Sequence, residues 1–398
     1  MIYRSVLVLL LTLLLTACGG SSSSHQNIPA GSTSPAVFDE SEKSYLYSLF
    51  QAEYYWNDQV PQNFDYSAYT EPQPMIDALK YTTLDHWSFA LTRQQYDEMS
   101  TQKTAGFGFG YQGDFTIYTV LIGSPAEAAG LLRGDKILTI NGQTATKALL
   151  SQASDALGQT ARFGIERAGT PMDLSITAQE YTYNVISYKT LQTNLGQRVG
   201  YLRFDEFSEN ATDELETAFN YFKNQHIDKL VVDLRYNPGG SVNTASIFLD
   251  KIGRPYNGQV QMVLAWNAQN SSQNETLTFD SLDPNSLAVG KIVFLTTSHS
   301  ASASEAVINA MKPYMHSNAA IVGTRTHGKP VGMAGRTNGS YIYYLINFLV
   351  ENSVGFSDYF NGLAPDCEIA DDDFSHQLGD PNEALLREAL YYIDNDHC

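Results

Sequence analysis

Basic side chains are scarce in this sequence of 398 residues. Lysine and arginine together number 24, against 43 aspartates and glutamates, and the formal net charge is −19 at pH 7. Binding to nucleic acid needs a clustered excess of lysine and arginine, so the composition argues against nucleic acid as a partner. Hydrophobic residues make up 43% of the chain and aromatic residues 12%. This composition is typical of a globular protein and excludes a chain that is disordered throughout.

The motifs of common metal and nucleotide sites are also missing. The sequence has no Cys-x-x-Cys pair, no His-x-x-x-His accompanied by a glutamate, and no glycine-rich lysine loop at the start of a predicted helix. Those spacings hold zinc or bind phosphates. The sequence therefore implies neither a metal nor an organic cofactor.

The first residues, MIYRSVLVLLLTLLLTAC, place one arginine before an apolar run that ends in small residues and a cysteine. This pattern predicts an export signal over residues 1–17, and the run is shorter than the ~20 residues of a membrane span. The segment LTAC resembles the lipobox of bacterial lipoproteins, which implies lipidation of Cys18. The Gly/Ser-rich residues 18–36 then form a tether. The absence of an acidic residue after Cys18 favours sorting of the lipoprotein to the periplasmic face of the outer membrane. The alternatives to lipidation are that Cys18 is a free cysteine or that the apolar run is an uncleaved membrane anchor.

Three regions of different composition follow the tether. Residues 37–103 are rich in Tyr, Leu, Glu and Gln at helical spacing, which predicts a small helical N-terminal domain. Residues 104–181 contain a glycine-punctuated loop, a strand, a short alanine-rich helix and a second strand bounded by Gly-Asp and Asn-Gly turns. Residues 182–398 alternate strands with helices, which predicts an α/β core built on a parallel sheet.

A serine-rich segment at 296–312, TTSHSASASEAVINAMK, lies inside this α/β region. It separates strands predicted at 291–295 and 320–323, and it opens the helix between them. In such a βαβ unit the start of the helix and the loop after the second strand lie at the same edge of the sheet. Ser302 and Lys329 are therefore expected to share that edge.

Serine and lysine in this arrangement can carry out acyl transfer. The hydroxyl of Ser302 needs a base to become a nucleophile, and Lys329 can act as that base if burial lowers its pKa. A third strand, in KLVVDLRYNPGG, ends at the same kind of edge. The backbone N–H groups of Gly239 and Gly240 there, with that of Ala303, are candidates for an oxyanion hole.

Each of these features also has a simpler structural interpretation. Ser302 with Glu305 fits the capping box of a helix, a common pattern before an apolar run. Lys329 alone would be a solvated loop charge, and the glycine pair alone would be a turn. The catalytic interpretation depends on three separate segments bringing reactive or donating groups to one sheet edge.

The segments VVDLRYNPGG, SASASEAVINAM and GTRTHGKPVG resemble the three core motifs of the C-terminal processing peptidases, also called tail-specific proteases. They occur in the family's order, and LDHWSFALT, VGYLRFDEFS and GLAPDCEI extend the resemblance. It implies an α/β catalytic core of ClpP/crotonase-like βαβ units, with an N-terminal helical domain and a PDZ-like β-rich domain. It also implies Ser302 as nucleophile and Lys329 as general base. Ser300 and Ser304 flank the nucleophile, so an alignment error of two residues would select one of them.

The segment TAGFGFGYQGDFTIYTVLIGSPAEAAGLLRGDKILTINGQTA resembles a PDZ domain. The resemblance implies a peptide-binding loop at Gly106, Phe107, Gly108 and Phe109, whose N–H groups receive a terminal carboxylate while the peptide adds as a strand. Polypeptide substrates would then bind through their C-terminal tails. The alternative is a glycine-rich hairpin that binds nothing.

Met333 departs from the family pattern, because many members have a glutamine at this position that helps to orient the lysine. A thioether cannot donate a comparable hydrogen bond, and the sequence alone predicts that Met333→Gln leaves activity unchanged or raises it.

His299 and His327 offer a Ser-His alternative in the manner of the related tricorn-type proteases. Cys367 and Cys398 could pair in an oxidising compartment.

The sequence therefore predicts a membrane-tethered serine endopeptidase that cleaves cell-envelope polypeptides or their C-terminal tails through an acyl-enzyme. The competing function is a catalytically silent peptide- or ligand-binding protein with the same fold, which Met333 favours. Neither function predicts an oligomeric state.

Overall fold

The structure, a computed structural model, describes residues 36–100 and 103–398, without the side chains of 97–100 and 103. The predicted export signal and Cys18 lie outside the described residues, as does nearly all of the tether. Within the described ranges, no helix combines the length and the apolar character that crossing a membrane requires.

The N-terminal region contains the predicted helices and also a strand. Asp39 caps the first helix, since its carboxylate accepts from the N–H groups of Ser41 and Glu42, each at 3.0 Å. The elements are α1 (Glu40–Ala52), α2 (Pro72–Leu79), β1 (Phe89–Thr92) and α3 (Arg93–Ser100).

The second region is β-rich with short helices, as its resemblance to PDZ domains implies. The elements are β2 (Lys103–Gly106), β3 (Phe109–Tyr111), β4 (Ile117–Val120), α4 (Pro125–Ala128), β5 (Lys136–Ile140), β6 (Gln143–Thr144), α5 (Lys147–Asp155), β7 (Thr160–Arg167), β8 (Thr170–Thr177) and β9 (Gln179–Thr182). Four antiparallel strands pair in the order β6-β5-β7-β8, while β2 pairs with β9 and β3 with β4. Because β2 opens the region and β9 ends it, their pairing brings both ends of the region together.

The third region is the predicted α/β core, and its elements are β10 (Ile186–Gln192), β11 (Arg198–Phe204), α6 (Ala211–Asn224), β12 (Lys229–Asp233), α7 (Val242–Ile252), β13 (Val260–Trp266), β14 (Glu275–Thr278), β15 (Lys291–Thr296), α8 (Ala303–Met315), β16 (Ala319–Gly323), β17 (Val331–Asn338), β18 (Tyr341–Asn352), β19 (Cys367–Glu368) and α9 (Ala384–Asn395). Its sheet has the strand order β10-β11-β12-β15-β16-β19, in which all pairs except β10-β11 are parallel. The predicted βαβ unit is confirmed, since β15 and β16 pair in parallel across the helix α8.

Helices cover both faces of this sheet. Successive side chains of β12 point to opposite faces: Leu230 and Val232 join the apolar cluster formed by α6, α7 and α8, while Val231 joins the cluster formed by α9. A strand that is buried on both faces reads as a continuous apolar run, which explains the uninterrupted LVV in the sequence.

A second, antiparallel sheet joins the N-terminal region to the core. Its order is β1-β18-β13-β14, with β17 also paired to β18. Phe50 and Tyr54 of the N-terminal region share one apolar cluster with Met333 and Tyr343 of β17 and β18. The predicted N-terminal domain therefore shares its core with a hairpin that is distant in sequence.

Two arginines hold the PDZ-like region against the core. The buried guanidinium of Arg133 donates to the Asp371 carboxylate at 2.7 Å. Arg203 of β11 donates to the Thr119 hydroxyl at 2.9 Å and to the Val120 carbonyl at 3.2 Å. Strand β4 therefore lies beside the core.

Cys367 and Cys398 form a disulfide with a Cα–Cα distance of 5.6 Å. It joins β19 at the edge of the sheet to the residues after α9. The sequence left this pairing open.

Candidate active site

The three motif segments meet at the carboxyl ends of neighbouring parallel strands. The N–H of Ala301 donates to the Asn237 carbonyl at 3.1 Å, and the N–H of His327 donates to the Ser300 carbonyl at 2.9 Å. The segment after β15 is thus bonded to the segments after β12 and β16. This is the common sheet edge that the βαβ pattern predicts.

Ser302 occupies the N-cap of α8 in a strained backbone conformation. Its φ is +58° and its ψ is −110°, a region that non-glycine residues rarely adopt and that costs about 1–3 kcal/mol. Because the residue is buried, contacts with the surrounding structure hold its backbone in this conformation. Strain of this kind is a known feature of turns that present a nucleophile.

The hydroxyls of the two flanking serines already have structural partners. Ser300 Oγ donates to the Leu234 carbonyl at 2.7 Å, and Ser304 Oγ donates to the Asn237 carbonyl at 3.0 Å. In the part of the chain that the structure describes, Ser302 Oγ donates to no main-chain carbonyl. This difference favours Ser302 over its neighbours as the nucleophile.

Glu305 connects the serine to the lysine loop. Its Oε2 accepts from the N–H groups of Ser302 and Lys329, each at 2.8 Å. Its Oε1 accepts from the Thr326 hydroxyl and the Gly328 N–H, each at 2.6 Å. Burial raises the pKa of Glu305, and these hydrogen bonds oppose the rise. The capping interaction predicted as an alternative to catalysis is therefore part of the site.

Lys329 is a buried lysine whose pKa is lowered to about 7. Burial is the largest cause, while the negative charges of Asp85 and Glu305 raise the pKa. A lysine with this pKa is unprotonated in a large fraction of molecules at neutral pH, as a general base must be. Among the described residues, its amine makes no hydrogen bond.

Gly239 lies directly against the nucleophile segment. A Cβ added there would lie 2.9 Å from Ser302 Cβ, and its φ of +108° also requires glycine. The Gly239 N–H, however, donates to Asn237 Oδ1 at 2.9 Å, so in this structure it is not free to bind an oxyanion. Of the three predicted donors, the N–H groups of Gly240 and Ala303 have no hydrogen-bond partner within the described chain.

His299 and His327 lie near the site, but neither bonds to the serine within the described residues. Burial and then the charge of His327 lower the pKa of His299, whose ring lies 6.2 Å from that of Tyr118 in the PDZ-like region. His327 Nε2 instead accepts from the indole N–H of Trp87 at 3.4 Å. The geometry therefore gives no support to a Ser-His pair.

The predicted peptide-binding loop lies at the junction of β2 and β3. Phe107 is buried and packs edge-to-face on Phe163 at 5.0 Å. The carbonyls of Phe107 and Gly108 accept from the N–H groups of Ala126 and Leu121, at 2.9 and 3.0 Å. These contacts fix Gly106 to Phe109 within the fold, and carboxylate binding by the loop stays a prediction.

Sequence reasoning gave no role to the N-terminal residues that reach this site. Asp85 is buried and accepts from Tyr54 Oη at 2.8 Å, from Ser88 Oγ at 2.6 Å and from the N–H of Trp87 at 2.9 Å. The Trp87 ring lies over the amine of Lys329, at 5.5 Å. The only signal in the sequence was the segment LDHWSFALT, which contributed to the family resemblance.

Met333 is buried in the apolar cluster shared by the N-terminal region and β17. A glutamine there would bury its amide among hydrocarbon side chains, so we expect Met333→Gln to lower the free energy of unfolding by about 1–3 kcal/mol without raising activity. Urea unfolding measures the loss, with Met172→Gln as the more exposed control. Unchanged stability with higher activity would mean that the amide reaches the lysine. This replaces the expectation drawn from the sequence.

Three family models match the chain. "Peptidase family S41" matches residues 198–369, "Peptidase S41 N-terminal domain" matches 41–89, and "PDZ domain" matches 116–163. Each match lies inside one of the three predicted regions, whose limits stay predictions.

The chain is similar to curated relatives that carry protease names. A carboxyl-terminal-processing protease of Synechocystis sp. is 30% identical over 273 residues, which is 65% of this chain and 61% of the relative. A CtpA-like serine protease of Staphylococcus aureus is 27% identical over 356 residues, covering 81% of this chain and 63% of the relative. The chain thus spans less than two thirds of the length of either.

Solved structures share the fold. An S41 protein from Bacteroides fragilis superposes with a TM-score of 0.77 at 26% identity, covering 88% of this chain and 97% of the other. The photosystem II D1 C-terminal processing protease gives a TM-score of 0.53 at 20% identity, with coverage of 82% and 92%. The two S41 family models match both the N-terminal region and the core, and the chain belongs to peptidase family S41.

Proposed function

We propose that this protein is a serine endopeptidase in which Ser302 and Lys329 form the catalytic dyad. The observation that carries the proposal is the buried lysine, with a pKa of about 7, bonded through its backbone to the same Glu305 carboxylate oxygen as the serine. The names of the relatives support the same activity.

The geometry supports acyl transfer in two stages. The unprotonated Lys329 amine takes the proton of the Ser302 hydroxyl as Oγ attacks the scissile carbonyl, and the N–H groups of Gly240 and Ala303 are the candidate donors to the oxyanion. The protonated lysine then gives its proton to the leaving amine. In the second stage the same amine accepts a proton from the water that attacks the acyl carbonyl, and it returns that proton to Ser302 Oγ as the bond between Oγ and the acyl carbon breaks.

We also propose that the protein is lipid-anchored through Cys18 at the periplasmic face of the outer membrane, and that it cleaves cell-envelope polypeptides. The support for this is the lipobox-like LTAC sequence and the absence of an acidic residue after the cysteine. Metabolic labelling of full-length protein with an alkyne fatty acid tests the anchor. Labelling that persists in Cys18→Ser would contradict it.

Labelling with a fluorophosphonate tests the nucleophile. We expect the full-length protein to be labelled at Ser302, identified by peptide mass spectrometry, because the probe reacts only with an activated hydroxyl. Ser302→Ala is expected to lose both labelling and peptide hydrolysis, while Ser300→Ala retains the label. An unlabelled parent protein that still binds peptides would instead favour the catalytically silent binding protein.

Amidating the C-terminus of a long substrate tests the PDZ-like loop. If Gly106 to Phe109 bind a terminal carboxylate, amidation removes a charge-assisted contact worth about 1.5–3 kcal/mol, so cleavage should slow at least about tenfold. Short peptides that reach Ser302 without the loop should be cut equally well with either terminus. Equal rates for both forms of the long substrate would rule out tail recognition by this loop.

A further inference from the structure

The amine of Lys329 is covered by an aromatic ring from the N-terminal region. Lys329 Nζ lies 5.5 Å from the centre of the Trp87 ring. The lysine is only 5% exposed, whereas the tryptophan is half-buried. The indole therefore forms part of the barrier between the amine and solvent.

Trp87 is held in this position from two sides. Its indole N–H donates to His327 Nε2 at 3.4 Å, on the same loop as the lysine. Its backbone N–H donates to Asp85 Oδ1 at 2.9 Å, and Asp85 is itself fixed by hydrogen bonds from Tyr54 and Ser88. The ring thus has a defined orientation over the amine.

We propose that Trp87 is a positioning residue for the general base, whose indole excludes water from the Lys329 amine and so keeps it unprotonated. This inference rests on the proposed function, because only a base requires the neutral amine. A bare aromatic contact would act in the opposite direction, since a ring face attracts the ammonium form.

The charges around the amine show why water exclusion is needed. Asp85, from the loop before β1, and Glu305, from α8, both favour the protonated lysine. Burial outweighs them. The other titratable groups nearby are His327, on the same loop, and Tyr359, whose buried hydroxyl belongs to a segment packed against that loop. Burial is therefore what keeps the amine neutral against the carboxylates of Asp85 and Glu305.

The test is the pH dependence of kcat/KM for peptide cleavage by the full-length protein. In Trp87→Ala water reaches the amine, so we expect the midpoint of the acid limb to rise by about one pH unit. Activity at pH 6 should fall about tenfold, and it should return to the parent level near pH 9. Trp87→Phe keeps a smaller ring without a donor, and we expect a shift of the same sign and about half the size.

Trp266→Phe is the matched control, because Trp266 also lies beside a cation, Arg336 at 5.8 Å, but in a different part of the fold. Its midpoint should not move. A folded Trp87→Ala with an unmoved midpoint, or with a loss that is equal at every pH, would overturn the proposal. If that variant does not fold, an unmoved midpoint in Trp87→Phe overturns it. In both cases fluorophosphonate labelling of Ser302 in the parent would leave the proposed function intact, whereas an unlabelled parent would remove both.

Discussion

Replacing Lys329 with methionine is expected to abolish peptide hydrolysis while making the folded protein more stable. Methionine has a similar length and no charge, so it fills the buried site without the penalty for placing an amine there. Loss of a general base lowers the rate of the chemical step by about 10²–10⁴-fold. A residue that impairs folding but is needed for catalysis is the pattern expected of a functional site.

The gain in stability follows from the lowered pKa. The pKa of Lys329 falls from the ordinary lysine value of 10.5 to about 7 in the folded protein, which corresponds to roughly 4 kcal/mol at neutral pH. Between these two pH values the unfolded chain binds more protons than the folded one, so the stability of the parent rises with pH. The advantage of Lys329→Met is therefore full below about pH 7 and shrinks as the pH rises towards 10.5.

Urea unfolding of both proteins from pH 6 to 9.5 measures this difference. Lys312→Met is the control, because Lys312 lies partly exposed on α8 and pairs with Asp366 at 2.8 Å. An exposed pair contributes less than about 1 kcal/mol, so this variant should change little. A Lys329→Met protein that is less stable than the parent at pH 7 would mean that the lysine is held as an ammonium ion, and the proposed dyad would lose its base.

Local pattern and strand topology were sufficient to predict the core of the site. The apolar runs at 291–295 and 320–323 predicted two parallel strands, and parallel strands bring their following loops to one edge. Ser302 and Lys329 were placed together for this reason. Both strands are present in one parallel sheet, each one residue longer than predicted.

Contacts between distant segments could not be predicted in this way. The N-terminal helices share their core with β17 and β18, and Trp87 reaches the lysine loop because β1 pairs with β18. When two strands are so far apart in sequence, neither segment contains a pattern that identifies the other as its partner. For the same reason the burial of Met333 was not predicted. Met333 stands where many family members have a glutamine, but it packs in the apolar cluster that the N-terminal region shares with β17 and β18.

The role of Glu305 was missed for a different reason. Its spacing from Ser302 fits a capping box, and that pattern accounts for only one of its four hydrogen bonds. The other three come from the loop after β16, which sequence spacing does not connect to the helix. A residue can therefore fit a common local motif and also hold a catalytic loop.

Changing Glu305 to glutamine is expected to impair both folding and catalysis. The two carboxylate oxygens accept four hydrogen bonds in a buried site. A glutamine offers one oxygen, and its amide group would face two donors. Each buried donor left without an acceptor costs about 1–3 kcal/mol, so we expect a loss of roughly 2–5 kcal/mol in the free energy of unfolding.

The same change should lower kcat in the molecules that remain folded, because Ser302 and Lys329 both lose the acceptor that fixes their backbones. Displacement of a catalytic group by about 1 Å can cost about 10²-fold in rate. Glu383→Gln is the matched control: Glu383 is an equally buried carboxylate that binds Arg235 at 3.0 Å and caps α9, so it should lose stability but keep its kcat. Fluorophosphonate labelling rates, corrected for the folded fraction, separate the two effects. If Glu305→Gln and Glu383→Gln lose stability equally and both keep the parent labelling rate, Glu305 is a structural cap alone, and the serine and lysine must be held in place by the other contacts of their loops.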